Sequence, residues 1–482
     1  MFERRERSEE QQELWVMAGE WPPATPDGFY RRVNKTLESI GFASQVWDIC
    51  EPAYADPSKG GRPGIDPVVS LKMLTVGFFE DLPGERAIAR RCAESLSLRG
   101  YLGYSLTEAT PDHSSLSVIR ERLSIEQLEA IHRVLLGALP EHGLRRGRKP
   151  GIDSSVMEAN ASLRALEHRN TEESYWDYVK RLAAEAGIDP SDTRTVRRFE
   201  RKREGRKTSN QDWQNPPRRR KGIGRLAGRA SHDVEAKVGR TKDGACDMIY
   251  KPEHVTDLES GAIVTAQVRP GEAADHDESL PERIEKAAIT LSEVAPEAPV
   301  EKLCSELCAD EGYFAIEPIA QLQACGVRTV IADPQAGRRN PQNASEAHRA
   351  AWRRARRATK SGSGKALLRK RGEPLERGFC HVLDHGGLRR ATLRGCEKLT
   401  KRHIVAASAH NLSLLLRHLF GIGTPKQALA GARNRLRQLI RWLSLALSRY
   451  LALITCSDHQ RLMTCAPFPV IHYLPNETAE YG

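Results

Sequence analysis

Between residues 247 and 333 the sequence alternates short apolar runs with stretches of helical spacing, and this order restricts the chain to an α/β fold. Asp247-Met-Ile-Tyr250 and Ala262-Ile-Val-Thr-Ala-Gln-Val268 are alternating segments, the second reading as a strand, followed by a predicted helix from about Asp277 to Val294. Leu307-Cys-Ala-Asp310 ends another short strand, Phe314 to Ala324 suits a helix, and Arg328-Thr-Val-Ile-Ala-Asp333 suits a buried parallel strand. The expectation is a mixed sheet with helices on its faces.

The flanking text differs. From about 65 to 140 apolar residues recur at three-and-four spacing, as in Val68, Leu71, Leu74 and Phe78, so a helical domain is expected there, of a type that could bind DNA by a helix-turn-helix. Residues 160–229 are highly polar and too short of large aliphatics to bury themselves, which predicts a surface segment or one threaded along DNA. The apolar stretch Ile440–Ile454 is interrupted by Arg441 and Arg449 and is expected to be a packed helix, not a membrane span.

Charge narrows the partner. Lys and Arg number 74 against 63 Asp and Glu, a net charge of +11, which favours a polyanion and places nucleic acid first. The ten cysteines are too sparse for a disulfide scaffold, and MFERRERSEEQQELW lacks the apolar core of a signal peptide, so a reducing cytoplasm is expected. Cys304 and Cys308 read as buried thiols, and Ser361-Gly-Ser-Gly-Lys365 as a flexible basic linker. His381, His385, His403 and His410 are assigned to structure or DNA contact. Trp213 and Trp352 are expected to pack, base stacking being the alternative.

Two acids, Asp153 in Gly-Ile-Asp-Ser-Ser and Asp310 in Cys-Ala-Asp-Glu-Gly-Tyr, stand at the ends of short strands, where open α/β sheets place reactive groups. The words around them go further. Gly151-Ile-Asp-Ser-Ser-Val-Met-Glu-Ala-Asn-Ala-Ser162, Val238-Gly-Arg-Thr-Lys-Asp-Gly244 and Ala309-Asp-Glu-Gly-Tyr313 resemble, in order and spacing, motifs of bacterial insertion-sequence DDE transposases. Gly61-Arg-Pro-Gly-Ile-Asp-Pro and Thr110-Pro-Asp-His-Ser-Ser look like the helical N-terminal domain of those enzymes. The resemblance covers about residues 60 to 420, apart from the tails and the 160–229 insertion.

It implies an RNase H-like mixed sheet core over residues 146–420, preceded by an all-α DNA-binding domain over 1–145 and followed by a helical segment and tail over 421–482. It also implies that Asp153, Asp310 and a glutamate hold two Mg²⁺ or Mn²⁺ ions for phosphodiester cleavage and strand transfer, with no nucleotide cofactor. The glutamate assigned by motif order is Glu376, in Arg371-Gly-Glu-Pro-Leu-Glu-Arg-Gly-Phe379 upstream of Ala409-His-Asn-Leu412; Glu397 and Glu373 are the other acids available. The chain departs from the family around that glutamate, since the family's Tyr, Arg and Lys fall at Arg369, Gly372 and Leu383.

The basic runs Arg218, Arg219, Arg220 and Lys221, then Arg353, Arg354, Arg356 and Arg357, then Lys370 and Arg371, are the expected phosphate contacts. The implied partner is double-stranded DNA, at transposon ends and target, bound by a homodimer in the bacterial nucleoid. A degenerate copy that binds DNA without cutting it, and a metal-dependent nuclease that does not join ends, are the competing readings.

Overall fold

A computed structural model describes residues 28–54, 64–105, 107–139, 147–163, 166–168, 170, 173–202, 213–214, 233–241, 246–299, 302–335 and 344–455. Residues 1–425 form one compact unit and 426–482 a second.

The first unit begins with helices α1 (Phe29–Ser39), α2 (Phe42–Cys50), α3 (Pro67–Phe79), α4 (Glu85–Glu94), α5 (Leu96–Leu102), α6 (His113–Arg122) and α7 (Ile125–Gly137). Local chemistry sets their limits. Asp66, Asp112 and Ser124 cap α3, α6 and α7 through backbone N–H groups, and Ser124 and Gln127 form a reciprocal capping box. The expected N-terminal helices are present as part of the first unit, and they start earlier than the periodicity from residue 65 indicated.

The sheet comprises β1 (Pro150–Ser154), β2 (Met157–Glu158), β5 (Lys237–Arg240), β6 (Cys246–Asp257), β7 (Ile263–Pro270), β8 (Glu306–Ala309) and β9 (Arg328–Ile331); β3 (Glu167–His168) and β4 (Trp213–Gln214) pair separately. β6 is central: β7 and β5 lie antiparallel along it, as do β1 and β2, while β8 is parallel to β1 and β9 parallel to β8. The order β7-β6-β1-β8-β9, in which β6 alone runs opposite to the other four, makes this an RNase H-like mixed sheet.

Strand alternation sends Ile152, Val255, Leu307, Ala309 and Ile331 into one core with α10 (Leu280–Val294) and α11 (Ile316–Ala324). Cys308 and Val330 face the other way, onto Leu367 and Leu375 of α13 (Gly362–Phe379), which follows α12 (Glu346–Lys360). Ser361 caps α13 by accepting from Gly364 N–H at 3.0 Å, so the segment expected as a flexible linker is a helix boundary. Cys304 and Cys308 are buried free thiols, as expected.

The polar insertion also differs from expectation. Helices α8 (Tyr175–Glu185) and α9 (Thr193–Lys202) join β3 and β4 around Tyr175, Val179, Ala183, Val196 and Trp213, with the Trp213 ring 5.2–5.3 Å from those of His168, Tyr175 and Tyr178. Aromatic rings supply the burial that the scarce aliphatics do not.

The long helix α14 (Cys396–Phe420) joins sheet and helical region, packing on β7 with one side and on α3, α6 and α7 with others. Its Asn411 covers the free edge of β7, Oδ1 accepting from Ile263 N–H at 2.9 Å and Nδ2 donating to Ile263 O at 2.8 Å. The second unit, described as far as Thr455, is the helix α15 (Pro425–Thr455). In it Leu436, Leu439, Ile440, Trp442, Leu443, Leu445 and Leu447 are roughly half exposed. Among the described residues no helix is long and apolar enough to cross a membrane.

Asn411→Ala removes the acceptor of a buried N–H, and the expected loss is about 1–3 kcal/mol. Thermal unfolding checks this against Asn160→Ala at the exposed surface, which is expected to change stability by less than about 0.5 kcal/mol.

Candidate active site

The parallel register of β1 and β8 aligns Gly151 with Cys308 and Ile152 with Ala309, so Asp153, the next residue of β1, stands beside Asp310, the residue after β8. Their face follows from alternation. Cys308 packs toward α13, and a Cβ on Gly151 would lie 2.5 Å from Leu258 in the same cluster. Two residues farther on, Asp153 and Asp310 face α13 as well.

Arg371 of α13 meets them there. It shares a helix face with Leu367 and Leu375, four residues to either side, both anchored on the sheet. Its Nη1 lies 3.7 Å from Asp153 Oδ2 and its Nη2 3.6 Å from Asp310 Oδ1. The side chains of Arg371, Asp153 and Asp310 are 19%, 26% and 55% exposed. Burial pushes the Asp153 carboxyl from its ordinary 3.8 up to about 6; Arg371 and the Ser154 N–H act against this, and Asp310 and Asp275 add to it. Arg371, read from the sequence as a phosphate contact, thus stands between the two acids.

The other acids separate. α13 advances 100° per residue, and the flank carrying Lys370, Glu373 and Arg377 lines a cavity with Leu258 and Gly261, at the end of the sheet where β1 begins. The opposite flank carries Gly372 and the exposed Glu376, with Glu376 Oε1 3.8 Å from the position of a Cβ on Gly372. Glu373 pairs with Arg377. Glu397 opens α14 and pairs with Lys401 at 2.7 Å, beside Lys398, which reaches Glu121 of α6; this is the helical region and not the aspartate pair.

Residues that sequence reasoning missed hold the pair in place. On the far face Glu253, opposite Ser154, accepts from Arg269 Nη1, Arg283 Nη1 and the Tyr313 hydroxyl at 3.0 Å each, which ties the turn after Asp310 to β6, β7 and α10. Asp275 accepts from Ser154 Oγ at 2.8 Å and pairs with Lys251 at 3.2 Å. Arg389 donates to Val156 O at 3.0 Å and pairs with Asp384. An acid in mid-strand was the available signal for Glu253; its arginine partners are remote in sequence.

Opposite Asp153 in register, His254 stacks on Phe379 at 4.3 Å, and its Nε2 lies 2.7 Å from Nε2 of His403. Burial pushes His254 and His403 down, His403 to about 3, so both are neutral and one ring donates to the other. His410, also lowered to about 3 by burial, lies with Nε2 3.2 Å from Gly261 O. His403 and His410 are structural, as are Trp213 and Trp352, whose Nε1 donates to Asp333 Oδ2 at 2.9 Å.

Of the basic residues expected at DNA, Arg353 pairs with Glu346, Arg354 donates to Gln323 Oε1, Arg356 lies over the Trp352 ring, and Arg357 donates to Arg353 O, all on α12. Arg218, Arg219, Arg220 and Lys221 lie outside the described residues.

Among the described residues no three His, Cys, Asp or Glu side chains stand close enough together to hold a metal. Asp153 and Asp310 nevertheless fit Mg²⁺ or Mn²⁺. They are hard oxygen donors; one is buried enough to resist ionisation; and Mg²⁺ commonly takes one or two carboxylates, completing its shell with water and substrate phosphate.

A model of the Transposase domain (DUF772) matches residues 22–122, and a model of the Transposase DDE domain matches residues 323–416. The second span contains Arg371, Glu376, Glu397 and Asn411, and begins after Asp310. No curated protein and no solved structure matches the chain.

Because the folded chain protonates Asp153 near pH 6 and the unfolded chain near 4, folding takes up a proton between those values and stability falls as pH rises through that window. The effect amounts to about 3 kcal/mol at most. Asp153→Asn is expected to flatten this part of the profile, measured as melting temperature against pH in chelator.

Proposed function

The chain carries the domains of an insertion-sequence DDE transposase, and from that premise we propose that it binds the terminal inverted repeats of its own element, cuts there, and joins the freed 3′-hydroxyl ends to target DNA. The observation that carries this reading is the pair of carboxylates, Asp153 and Asp310, set side by side at parallel strand ends and facing the helix that bears Glu376. A scaffold of this kind suits one reaction repeated with different nucleophiles, water for cutting and a 3′-hydroxyl for joining.

DDE transposases generally use a divalent metal. Asp153 and Asp310 would hold it, with Glu376 reaching in from the flank of α13 as the third ligand. Two such ions, Mg²⁺ or Mn²⁺, would supply activation of the attacking oxygen and stabilisation of the leaving one. The protein's own groups have separate tasks. The Glu253 network fixes the Asp310 turn, the Arg389 bond to Val156 fixes the chain after Asp153, and the Leu367 and Leu375 contacts fix the height of α13 above both.

DNA would be held by basic helices around this site. On α12, Arg353, Arg354, Arg356 and Arg357 are engaged by partners that phosphate can replace. On α9, Arg194, Arg197 and Arg198 are exposed, while Val196 and Glu200 anchor the helix beneath them. Arg218, Arg219, Arg220 and Lys221 would extend this track from the insertion. The helical region that includes α1–α7 would read the repeat. Handling two ends at once requires a homodimer on DNA, in the cytoplasm and at the nucleoid.

In a cleavage assay on a labelled duplex bearing the element's ends, Asp153→Ala, Asp310→Ala and Glu376→Ala are expected to abolish Mg²⁺-dependent cutting while duplex binding persists. Glu397→Ala is expected to cut. Loss with Glu397→Ala and activity with Glu376→Ala would reassign the third acid, and a native chain that binds tightly but never cuts would overturn the enzymatic reading. Replacing Arg194, Arg197 and Arg198 together by Ala should lower the slope of log affinity against log salt by about 0.9 for each phosphate that is no longer neutralised. An unchanged slope removes α9 from the DNA track.

A further inference from the structure

Arg371 is a buried cation that lies against both aspartates and is fully used by neither. Its Nη1 and Nη2 stand 3.7 and 3.6 Å from the carboxylates, beyond good hydrogen-bond length, and its Nε and Nη1 are buried with no hydrogen-bond partner among the described residues. Buried guanidinium donors without acceptors are costly, so their persistence needs a compensating role. Its position is fixed from below: Leu367 and Leu375 hold the backbone of α13 to the sheet on the turns before and after it, and only the end of the side chain can move.

We propose that Arg371 is a built-in counter-cation of the Asp153–Asp310 pair which must swing away before a divalent ion can enter, and that the phosphate of bound DNA draws it away. The inference rests on the reading of Asp153 and Asp310 as metal ligands. A guanidinium within 4 Å of both carboxylates and a divalent ion bound to the same oxygens repel each other strongly in a half-buried site. The planar fork of an arginine also matches a phosphate's oxygens better than two carboxylates that it touches edge-on from separate strands. DNA therefore supplies the acceptors that Nε and Nη1 lack, and frees the carboxylates as it does so. Metal and DNA then bind cooperatively through one side chain, and each raises the affinity of the other by the same factor. In the absence of DNA the protein holds its carboxylates neutralised and resists loading, so the site is assembled only on a substrate.

Mn²⁺ binding to the full chain, followed by calorimetry without any cleavage readout, tests this. Without DNA, R371Q is expected to bind Mn²⁺ about five- to a hundredfold more tightly than the native chain, and R371K, which keeps a charge with shorter reach, to fall between them. A linear duplex of the element's ends should tighten Mn²⁺ binding to the native chain several-fold more than to R371Q, where only the phosphate's own ligation of the ion remains. Equal Mn²⁺ affinity in native and R371Q chains, or equal tightening of both by duplex, overturns the inference and leaves the metal reading standing. If no chain binds Mn²⁺ with or without duplex, the metal reading of the aspartate pair falls, and this inference with it. Thermal unfolding confirms that R371Q is folded; should it not be, R371K decides, with native affinity overturning the inference and tighter binding supporting it.

Discussion

Everything at the candidate site depends on the register between β1 and β8. Aligning Ile152 with Ala309 brings Asp153 beside Asp310, and alternation turns both toward α13. A slip of one residue in either strand would send one carboxylate to the opposite face, into the apolar layer of Leu307, Ile319 and Leu322. The register is held on both faces. Above it, Leu367 and Leu375 pack on Cys308, Val330 and Leu258, and below it, Glu253 gathers Arg269, Arg283 and Tyr313 from three other elements. That lower network is a buried charge cluster, and its worth lies less in net stability than in fixing one arrangement, because removing any cation would strand the Glu253 charge.

A second dependence runs through α14. His132 of α7 lies 2.9 Å from Ser408 Oγ and 3.0 Å from Ile263 O, so one buried imidazole touches the long helix and the edge strand at once. Burial lowers that imidazole to about 4, and it bridges as a neutral donor and acceptor. Thr400 accepts from Val268 N–H at 3.1 Å and Asn411 closes on Ile263, so α14 supplies to β7 what a further strand would otherwise supply. The helical region is thereby joined to the sheet by hydrogen bonds as well as by apolar contact.

Much of this was legible in the sequence, for physical reasons that differ by element. The strands from β6 to β9 announce themselves because burial on both faces selects apolar runs, and Asp153 and Asp310 stand out because each ends such a run. The insertion was misjudged because its core is built from Tyr175, Tyr178 and Trp213, which an aliphatic count overlooks. The first helix escaped notice although Val33 and Leu37, four residues apart, lie buried in it beside Phe29 and Tyr30. Glu253 offered only the signal of an acid in mid-strand, and its partners could not be found, since they lie 16, 30 and 60 residues away.

Arg371 is the instructive case, because its signal was present and pointed elsewhere. It stands in the run Arg369-Lys-Arg371, and a run of like charges suggests a solvated face turned to phosphate. Helical spacing says otherwise. Leu367, Arg371 and Leu375 recur every four residues, so the arginine belongs to the buried stripe while Arg369 and Lys370 diverge to either flank. A cation placed in an apolar stripe must face something anionic across the interface, and the face it meets is the sheet end where β1 and β8 finish. Read this way, the composition that suggests a polyanion as partner also conceals a cation set against the protein's own carboxylates. The positive charge of this chain is therefore of two kinds, one turned outward on α9 and α12 and one turned inward on α13.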